Sequence, residues 1–142
     1  MSPEYIKSFD VWNEKMKLLE KRILPDDFFF LEGEIWWVAL GVNIGHEIDG
    51  KNDMFERPVV VLKRITDDLL WAIPITSTIK SSVDFQLMKH SGKQQTILVS
   101  QIKLISNKRL LRLIFRMKQS EFSLIKESII DKVSCIKTIP SD

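Results

Sequence analysis

A mainly β fold flanked by helices, α+β in class, is predicted by three observations. Apolar residues recur at helical spacing near both ends of the chain, in residues 3–23 and 120–136. Between those ends the pattern changes to seven short apolar runs broken by irregular polar turns, which favours a small barrel over a parallel sheet. The chain has 142 residues, 44% of them hydrophobic. At that size a fold buries roughly two-thirds of its extended surface, enough for one core.

The first helix is expected over residues 3–23. Tyr5, Phe9, Trp12, Met16, Leu19 and Ile23 alternate spacings of four and three, the seam of a heptad pattern. Ser2 is placed to cap it, Pro3 suits its first position and Pro25 stops it. The seam can pack on the rest of the subunit, pair across a dimer or dock a partner. The first strand, Glu34–Leu40, is apolar on both faces, as a strand covered on both sides reads. Residues 41–56 form a polar loop holding Gly41, Gly45 and Gly50. Arg57–Arg64 is the second strand, with Pro58 near its start, where a missing N–H is tolerated. Leu69–Ile75 is the third, and Val83–Met88, Thr96–Val99, Ile102–Ile105 and Leu111–Phe115 are shorter. Asp67-Asp68, Ser91-Gly92 and Ser106-Asn107 supply turns. Phe122, Ile125, Ile129, Val133 and Ile136 then make one apolar stripe over residues 120–136, with Ser120 as N-cap and Glu121 suited to the first turn.

Composition narrows the function. The formal net charge is +2, which argues against a histone-like or polybasic chain. The distribution is polar along the chain, however. Residues 1–84 hold 10 Lys/Arg against 15 Asp/Glu, residues 85–120 hold 8 Lys/Arg and no acid, and residues 121–142 hold 3 against 4. The three blocks therefore carry −5, +8 and −1. Cys135 is alone, so no intramolecular disulfide forms, which fits a reducing cytosol. No apolar run approaches the ~20 residues that cross a bilayer. The start, MSPEYIKSFD, is not of signal-peptide type. A cytoplasmic protein without membrane contact is expected. His46, His90 and Cys135 are too few for a zinc site, and neither a metal nor a cofactor is expected.

Three stretches can carry chemistry. The loop Gly45–Pro58 concentrates His46, Glu47, Asp49, Lys51 and Arg57, and its glycines allow tight backbone beside a ligand. Arg57 opens a strand, so a planar five-donor fork shaped for phosphate would sit on rigid backbone. The alternative is a structural pair with Glu56 or Asp49. Thr76, Ser77 and Thr78 follow the third strand and could bind phosphate oxygens or cap a turn. Lys89, Lys93, Lys103, Lys108, Arg109, Arg112, Arg116 and Lys118 make a basic stretch suited to a polyanion, or to complementing the acidic first block.

Four segments resemble the MazF/PemK family of toxins. Gly33-Glu34-Ile35-Trp36-Trp37-Val38 looks like that family's opening strand. Gly45-His46-Glu47-Ile48-Asp49-Gly50 followed by Arg57-Pro58-Val59-Val60-Val61-Leu62 resembles its G-x-E-x-x-G loop and R-P-hydrophobic strand. Ile73-Pro74-Ile75-Thr76-Ser77 is similar to its third-strand ending. Ile97–Lys103 with Lys108-Arg109-Leu110 is similar to its [DS]-Q-[IV]-[RK] segment and the R-L that follows. The resemblance covers roughly residues 31–135, so residues 1–30 read as an N-terminal helical extension and 31–142 as the toxin domain.

The resemblance implies a compact Src-homology-3-like barrel of the CcdB/MazF/PemK type, usually a homodimer. It implies a toxin of a type II toxin–antitoxin system, a metal-independent and sequence-selective endoribonuclease cutting single-stranded RNA to a 2′,3′-cyclic phosphate and a 5′-hydroxyl. A cognate antitoxin is the implied partner, with DNA contacted only through that complex. The catalytic residues it implies are Arg57, Thr76 and Glu47, with His46 a second candidate base. Residues expected to bind substrate are His46, Lys51, Ser77, Gln101 and Lys103. Three departures stand out: the long span 51–56, Ser100 and Lys103 where an acid and an arginine are usual, and the added helix. A gyrase-binding poison on the same fold and a non-catalytic nucleic-acid-binding adaptor are the alternative readings.

Overall fold

The computed structural model describes residues 4–78, 85–90 and 93–134. The elements are α1 (Phe9–Glu20), β1 (Glu34–Ala39), β2 (Glu56–Arg64), β3 (Leu69–Thr76), β4 (Phe85–His90), β5 (Lys93–Ile97), β6 (Lys103–Ser106), β7 (Leu110–Arg116) and α2 (Gln119–Ser134). Single 3₁₀ turns at Val99–Gln101 and Asn107–Arg109 bracket β6. The strands form one curled antiparallel sheet in the order β4-β5-β3-β2-β1-β7, with β6 also on β3. The predicted mainly β fold with terminal helices is the one observed. Among the described residues no helix is long and apolar enough to cross a membrane.

β3 is the shared strand. One edge pairs with β2; the other pairs first with β6, at Leu69–Ala72, and then with β5, at Ile75 and Thr76. Pro74 lies in the gap between those two partners, where its missing N–H breaks no ladder bond, while its carbonyl accepts from Leu98 N–H at 2.9 Å. This is how a proline stands inside a central strand.

The curl gives the sheet two buried faces. On one, Ile35, Val60, Ile73, Ile75 and Ile97 pack under Phe122 and Ile125 of α2. On the other, Trp36, Val38, Val59, Val61, Leu70 and Ala72 pack with Phe30, Ile105 and Leu110. Strands buried on both sides explain the continuous apolar runs of β1 to β3. Phe30, just before the expected domain boundary, is a core residue.

Most strand boundaries fall within two residues of expectation; Val83 and the Ser91-Gly92 turn lie outside the described residues. Both helices need correction. α1 starts at Phe9 instead of residue 3, because residues 4–8 are drawn along the 43–49 loop by Tyr5 and Lys7, and it ends at Glu20, before Ile23. The expected caps Ser2 and Pro3 lie outside the described residues, and Ser8 stands at the N-cap without a side-chain bond. Of the heptad seam only Trp12 is buried and Leu19 half-buried, whereas Tyr5, Phe9, Met16 and Ile23 are exposed. α2 starts at Gln119, so Ser120 sits inside the first turn instead of capping it. Val133 is exposed and Ile136 lies outside the described residues.

Trp12 fixes α1 to the sheet by packing on Ala39 and Val42. Gly41, at φ +86°, lies directly beneath the indole, where a Cβ would overlap the ring. The far end is tied by Arg22, which donates to the Lys108 and Leu110 carbonyls at 2.9 and 2.6 Å, and by Lys108, which donates to the Glu20 carbonyl at 2.7 Å. Replacing a buried Trp by Ala typically costs about 3–5 kcal/mol. Trp12→Ala should therefore undock α1 and speed tryptic cleavage at Lys15, Lys17 or Lys21 while the sheet stays folded. Unchanged cleavage rates would show that Trp12 does not anchor the helix.

Candidate functional site

Two backbone closures build the loop between β1 and β2. Gly50 N–H donates to the Gly41 carbonyl at 2.7 Å, and a Cβ on Gly50 would overlap the Phe55 carbonyl, so glycine is required where these stretches of backbone meet. Beyond it, Lys51 and Glu56 exchange N–H···O bonds of 2.8 and 2.9 Å, closing residues 51–56 into a tight turn. Asn52 and Phe55 take positive φ values of 62° and 51° there, and Asn52 Oδ1 accepts from Met54 N–H at 2.9 Å. Residues 51–56 thus form an ordered turn, and Phe55 packs its ring against Trp12 at 5.6 Å between centroids.

Arg57 is buried at the start of β2. Its Nε donates to the backbone carbonyl of Asp49 at 2.6 Å. Burial lowers its pKa from the ordinary arginine value, opposed by the nearby Asp49 carboxylate and by Tyr5. Asp49 is held in turn: its carboxylate accepts from Asn43 N–H at 2.6 Å and Tyr5 O–H at 3.0 Å and pairs with Lys7 at 3.5 Å. The two structural pairings left open for Arg57 resolve differently. Asp49 engages it, through its carbonyl, whereas the Glu56 carboxylate is taken by Arg112 in a two-point pair at 3.0 Å.

Thr76 is buried at the end of β3. The β2–β3 register pairs Val59 with Pro74; carried two residues on, it sets Arg57 opposite Thr76. Residues directly opposite in an antiparallel pair share a face, so Arg57 and Thr76 stand on one face of the sheet. Thr76 Oγ1 accepts from Thr78 N–H at 3.2 Å, and Ser77 is exposed beside it. Lys103 pairs with Ala72 on the other edge of β3, which puts it on the same face. Burial and then the Arg109 charge lower its pKa, against the opposite pull of Glu47 and Asp49. Arg109, itself lowered by burial, donates to the Ala39 carbonyl at 3.1 Å. Asp49 thus stands among Arg57 and Lys103, with Arg109 behind.

The remaining predicted residues of the loop and of the Gln101 segment divide between two cavities. Glu47 is exposed and its Oε1 accepts from Ile44 N–H at 3.0 Å. With His46 and Lys103 it lines a 400 Å³ cavity against Ser100–Ile102. Gln101 braces this loop at both ends of its amide: Oε1 accepts from Ile48 N–H at 2.7 Å and Nε2 donates to the His46 carbonyl at 3.2 Å. Lys51 is exposed on an 840 Å³ groove that runs from Arg57 between the 49–55 loop and the segment around Tyr5. Among the described residues no group of three His, Cys, Asp or Glu side chains could hold a metal ion.

Sequence reasoning missed Tyr5, Lys7, Asn43 and Arg109 as parts of this site. Arg109 carried a signal, since it belongs to the +8 block. Tyr5 and Lys7 carried none, because a tyrosine at helical spacing reads as seam. Of the rest of that block, Lys108 and Arg112 tie backbone and Glu56, Arg116 and Lys118 are exposed, and the side chains of Lys89 and Lys93 lie outside what the structure describes.

Residues 31–132 match the family of PemK-like, MazF-like toxins of type II toxin–antitoxin systems, and the chain belongs to it. No curated protein sequence matches the chain. Similar solved structures include MazF of Deinococcus radiodurans, 20% identical with a TM-score of 0.63, covering 77% of this chain and 100% of that one. The MazE–MazF complex of the same organism is 16% identical with a TM-score of 0.58, over 76% and 98%. An endoribonuclease in complex with its cognate antitoxin from a mycobacterial species is 9% identical with a TM-score of 0.56, over 77% and 99%. These likenesses are of fold. The α1 segment lies outside the family match.

Tyr5 is the chain's only tyrosine, so its contact with Asp49 is measurable. Partial desolvation first, and then the bond to Asp49, raise its pKa above the ordinary 10.0. The contact's contribution to stability is whole while the phenol is neutral in both folded and unfolded chains, and is lost as pH rises through the raised value. Ultraviolet titration should give a pKa above 10.0 in the folded chain and a lower one in Asp49→Ala. Equal values in the two would refute the contact.

Proposed function

We propose that this PemK-like, MazF-like toxin is an endoribonuclease that cleaves single-stranded RNA without a metal. The convergence of Arg57 and Thr76 on one face of β2 and β3, with Lys103 nearby, carries the reading. RNA supplies its own nucleophile, the 2′-hydroxyl next to the scissile phosphate. As the 2′-oxygen bonds to phosphorus, the bond to the 5′-oxygen breaks, and charge builds on the phosphate oxygens between these events. Arg57 meets that charge with preorganised donors, and Thr76 orients the phosphate through its hydroxyl. Glu47, with His46 the second candidate, is assigned the 2′-hydroxyl proton, which the RNA must bring across the loop to the cavity that Glu47 shares with Lys103. The 5′-oxygen leaves with a proton from the Arg57 guanidinium, which regains one from solvent while Glu47 releases the proton it took. The products are a 2′,3′-cyclic phosphate and a 5′-hydroxyl.

Lys103, Lys51, Ser77 and His46 are assigned to substrate on this reading, and Gln101 acts through the loop it braces. A cognate antitoxin is the proposed protein partner, since structures of similar fold are complexes with one. A homodimer is the proposed assembly, and a cytoplasmic location is the one proposed for an enzyme that acts on single-stranded RNA.

A long single-stranded RNA incubated with the protein in excess chelator tests this reading, with the products' ends mapped. Cleavage should persist, leave cyclic phosphates and spare DNA of the same sequence. Losing one preorganised donor typically costs ~10²–10³-fold in rate, so Arg57→Ala should fall by that order. Cleavage by Arg57→Ala at the parent rate would remove Arg57 from the mechanism. For binding, each phosphate contact on a single strand contributes about 0.7 to the slope of log K against log salt. Lys103→Gln should flatten the slope by about that much; an unchanged slope would take Lys103 away from the RNA.

A further inference from the structure

The groove beside Arg57 has one wall that the family match does not include. Tyr5 and Lys15 line it on the α1 side, and Lys51, Asp53 and Phe55 on the loop side, with Arg57 at its inner end. Its 840 Å³ is within the range of sites that hold a small ligand, about 300–1,000 Å³. One wall is the segment before residue 31, outside the family match, the other is the 49–55 loop inside it, and the two segments meet at the Trp12–Phe55 contact.

Tyr5 is placed unlike Trp12, the aromatic residue of the extension that makes this contact. Trp12 is buried, whereas Tyr5 is 66% exposed. Its hydroxyl is nonetheless fixed by the Asp49 carboxylate at 3.0 Å, and its charge state senses Arg57. An aromatic ring pinned by its polar end, with its body open to solvent beside a buried arginine, is what base stacking requires. The charges agree: Lys15, Lys51 and Arg57 line the groove with two carboxylates, and one of these, Asp49, is already paired with Lys7.

We propose that this groove is a nucleotide subsite, in which the Tyr5 ring stacks on a base of single-stranded RNA whose phosphate lies at Arg57. The proposal rests on the ribonuclease reading, and makes the N-terminal extension part of the substrate site instead of an appendage. Stacking is sequence-tolerant, so Tyr5 sets affinity at one position next to the cut.

The test uses the full chain and a short RNA carrying a 2′-deoxy residue at the cut position, which binds without being cleaved. Its affinity is measured for the parent, Tyr5→Ala and Tyr5→Phe, with an abasic residue moved through each flanking position. Loss of one stacked base should weaken Tyr5→Ala about tenfold. Tyr5→Phe, which keeps the ring, should bind roughly threefold or more tighter than Tyr5→Ala. One abasic position should weaken the parent by the same factor and weaken Tyr5→Ala no further. With cleavable RNA, the Tyr5→Ala loss should appear in KM.

Equal affinity of parent and Tyr5→Ala overturns the proposal, as does independent loss from Tyr5→Ala and every abasic position. If Tyr5→Ala weakens only the hold of an antitoxin and leaves RNA binding alone, the groove serves a protein and the proposal is wrong. A parent that cleaves no RNA defeats the ribonuclease reading separately, because the binding measurement needs no cleavage.

Discussion

Asp49 binds in two directions at once, and the site takes its shape from that. Its carboxylate gathers Asn43 N–H, the Tyr5 hydroxyl and Lys7, while its carbonyl holds Arg57 Nε. A buried guanidinium needs a fixed acceptor, since an unpaired buried charge is far costlier than a paired one. Supplying that acceptor from backbone leaves the carboxylate to secure the loop and the N-terminal segment. The bond is made at Nε, the root of the fork, so the arginine is oriented along the strand end where Thr76 arrives. Three separate parts of the chain are thereby set by one residue.

The extension and the 51–56 turn depend on each other through packing. Phe55 is held at a positive φ by the Lys51–Glu56 closure, and this presents its ring to Trp12. Trp12 in turn needs Gly41 beneath it, and Gly41 is the residue whose carbonyl closes the loop through Gly50. Altering α1 therefore disturbs the same backbone that positions Asp49. An exposed helix with one buried aromatic is a modest anchor, but here it acts on the backbone that closes the site's loop.

The strands were legible because their burial is simple. β1 to β3 are covered on both faces, and a short, continuous apolar run bounded by Gly and Pro fits a doubly covered strand better than a helix. The start of α1 was not legible, because Tyr5 lies at helical spacing from Phe9, and only a carboxylate 44 residues away decides that the backbone there runs outside the helix. Arg57 and Thr76 were legible as phosphate-binding types, and the family resemblance implied the roles proposed for them. Their convergence comes from register, which single strands do not encode. Gln101 illustrates the limit from the other side. Its place in a motif was visible, while its two bonds to the 46–48 backbone belong to tertiary structure alone.

The division of charge along the chain finds its meaning in desolvation. Arg57 comes from the acidic block, Lys103 and Arg109 from the basic one, and burial lowers the pKa of all three. Each is a cation kept partly from water, which opposes folding unless an anion faces it. Asp49 and Glu47 offset this for Lys103, and Asp49 for Arg57. For Arg109 burial is the whole cause of the shift, and the Ala39 carbonyl accepts from its guanidinium. A phosphate entering beside Arg57 and Lys103 would face cations that have already lost much of their hydration. The folded chain has thus met part of the desolvation that binding would otherwise require, whereas the same cations on a fully hydrated surface would each have to shed water first. The near-balanced total of +2 hides this arrangement, because what distinguishes these three from the other basic residues is where the sheet and its loop have placed them.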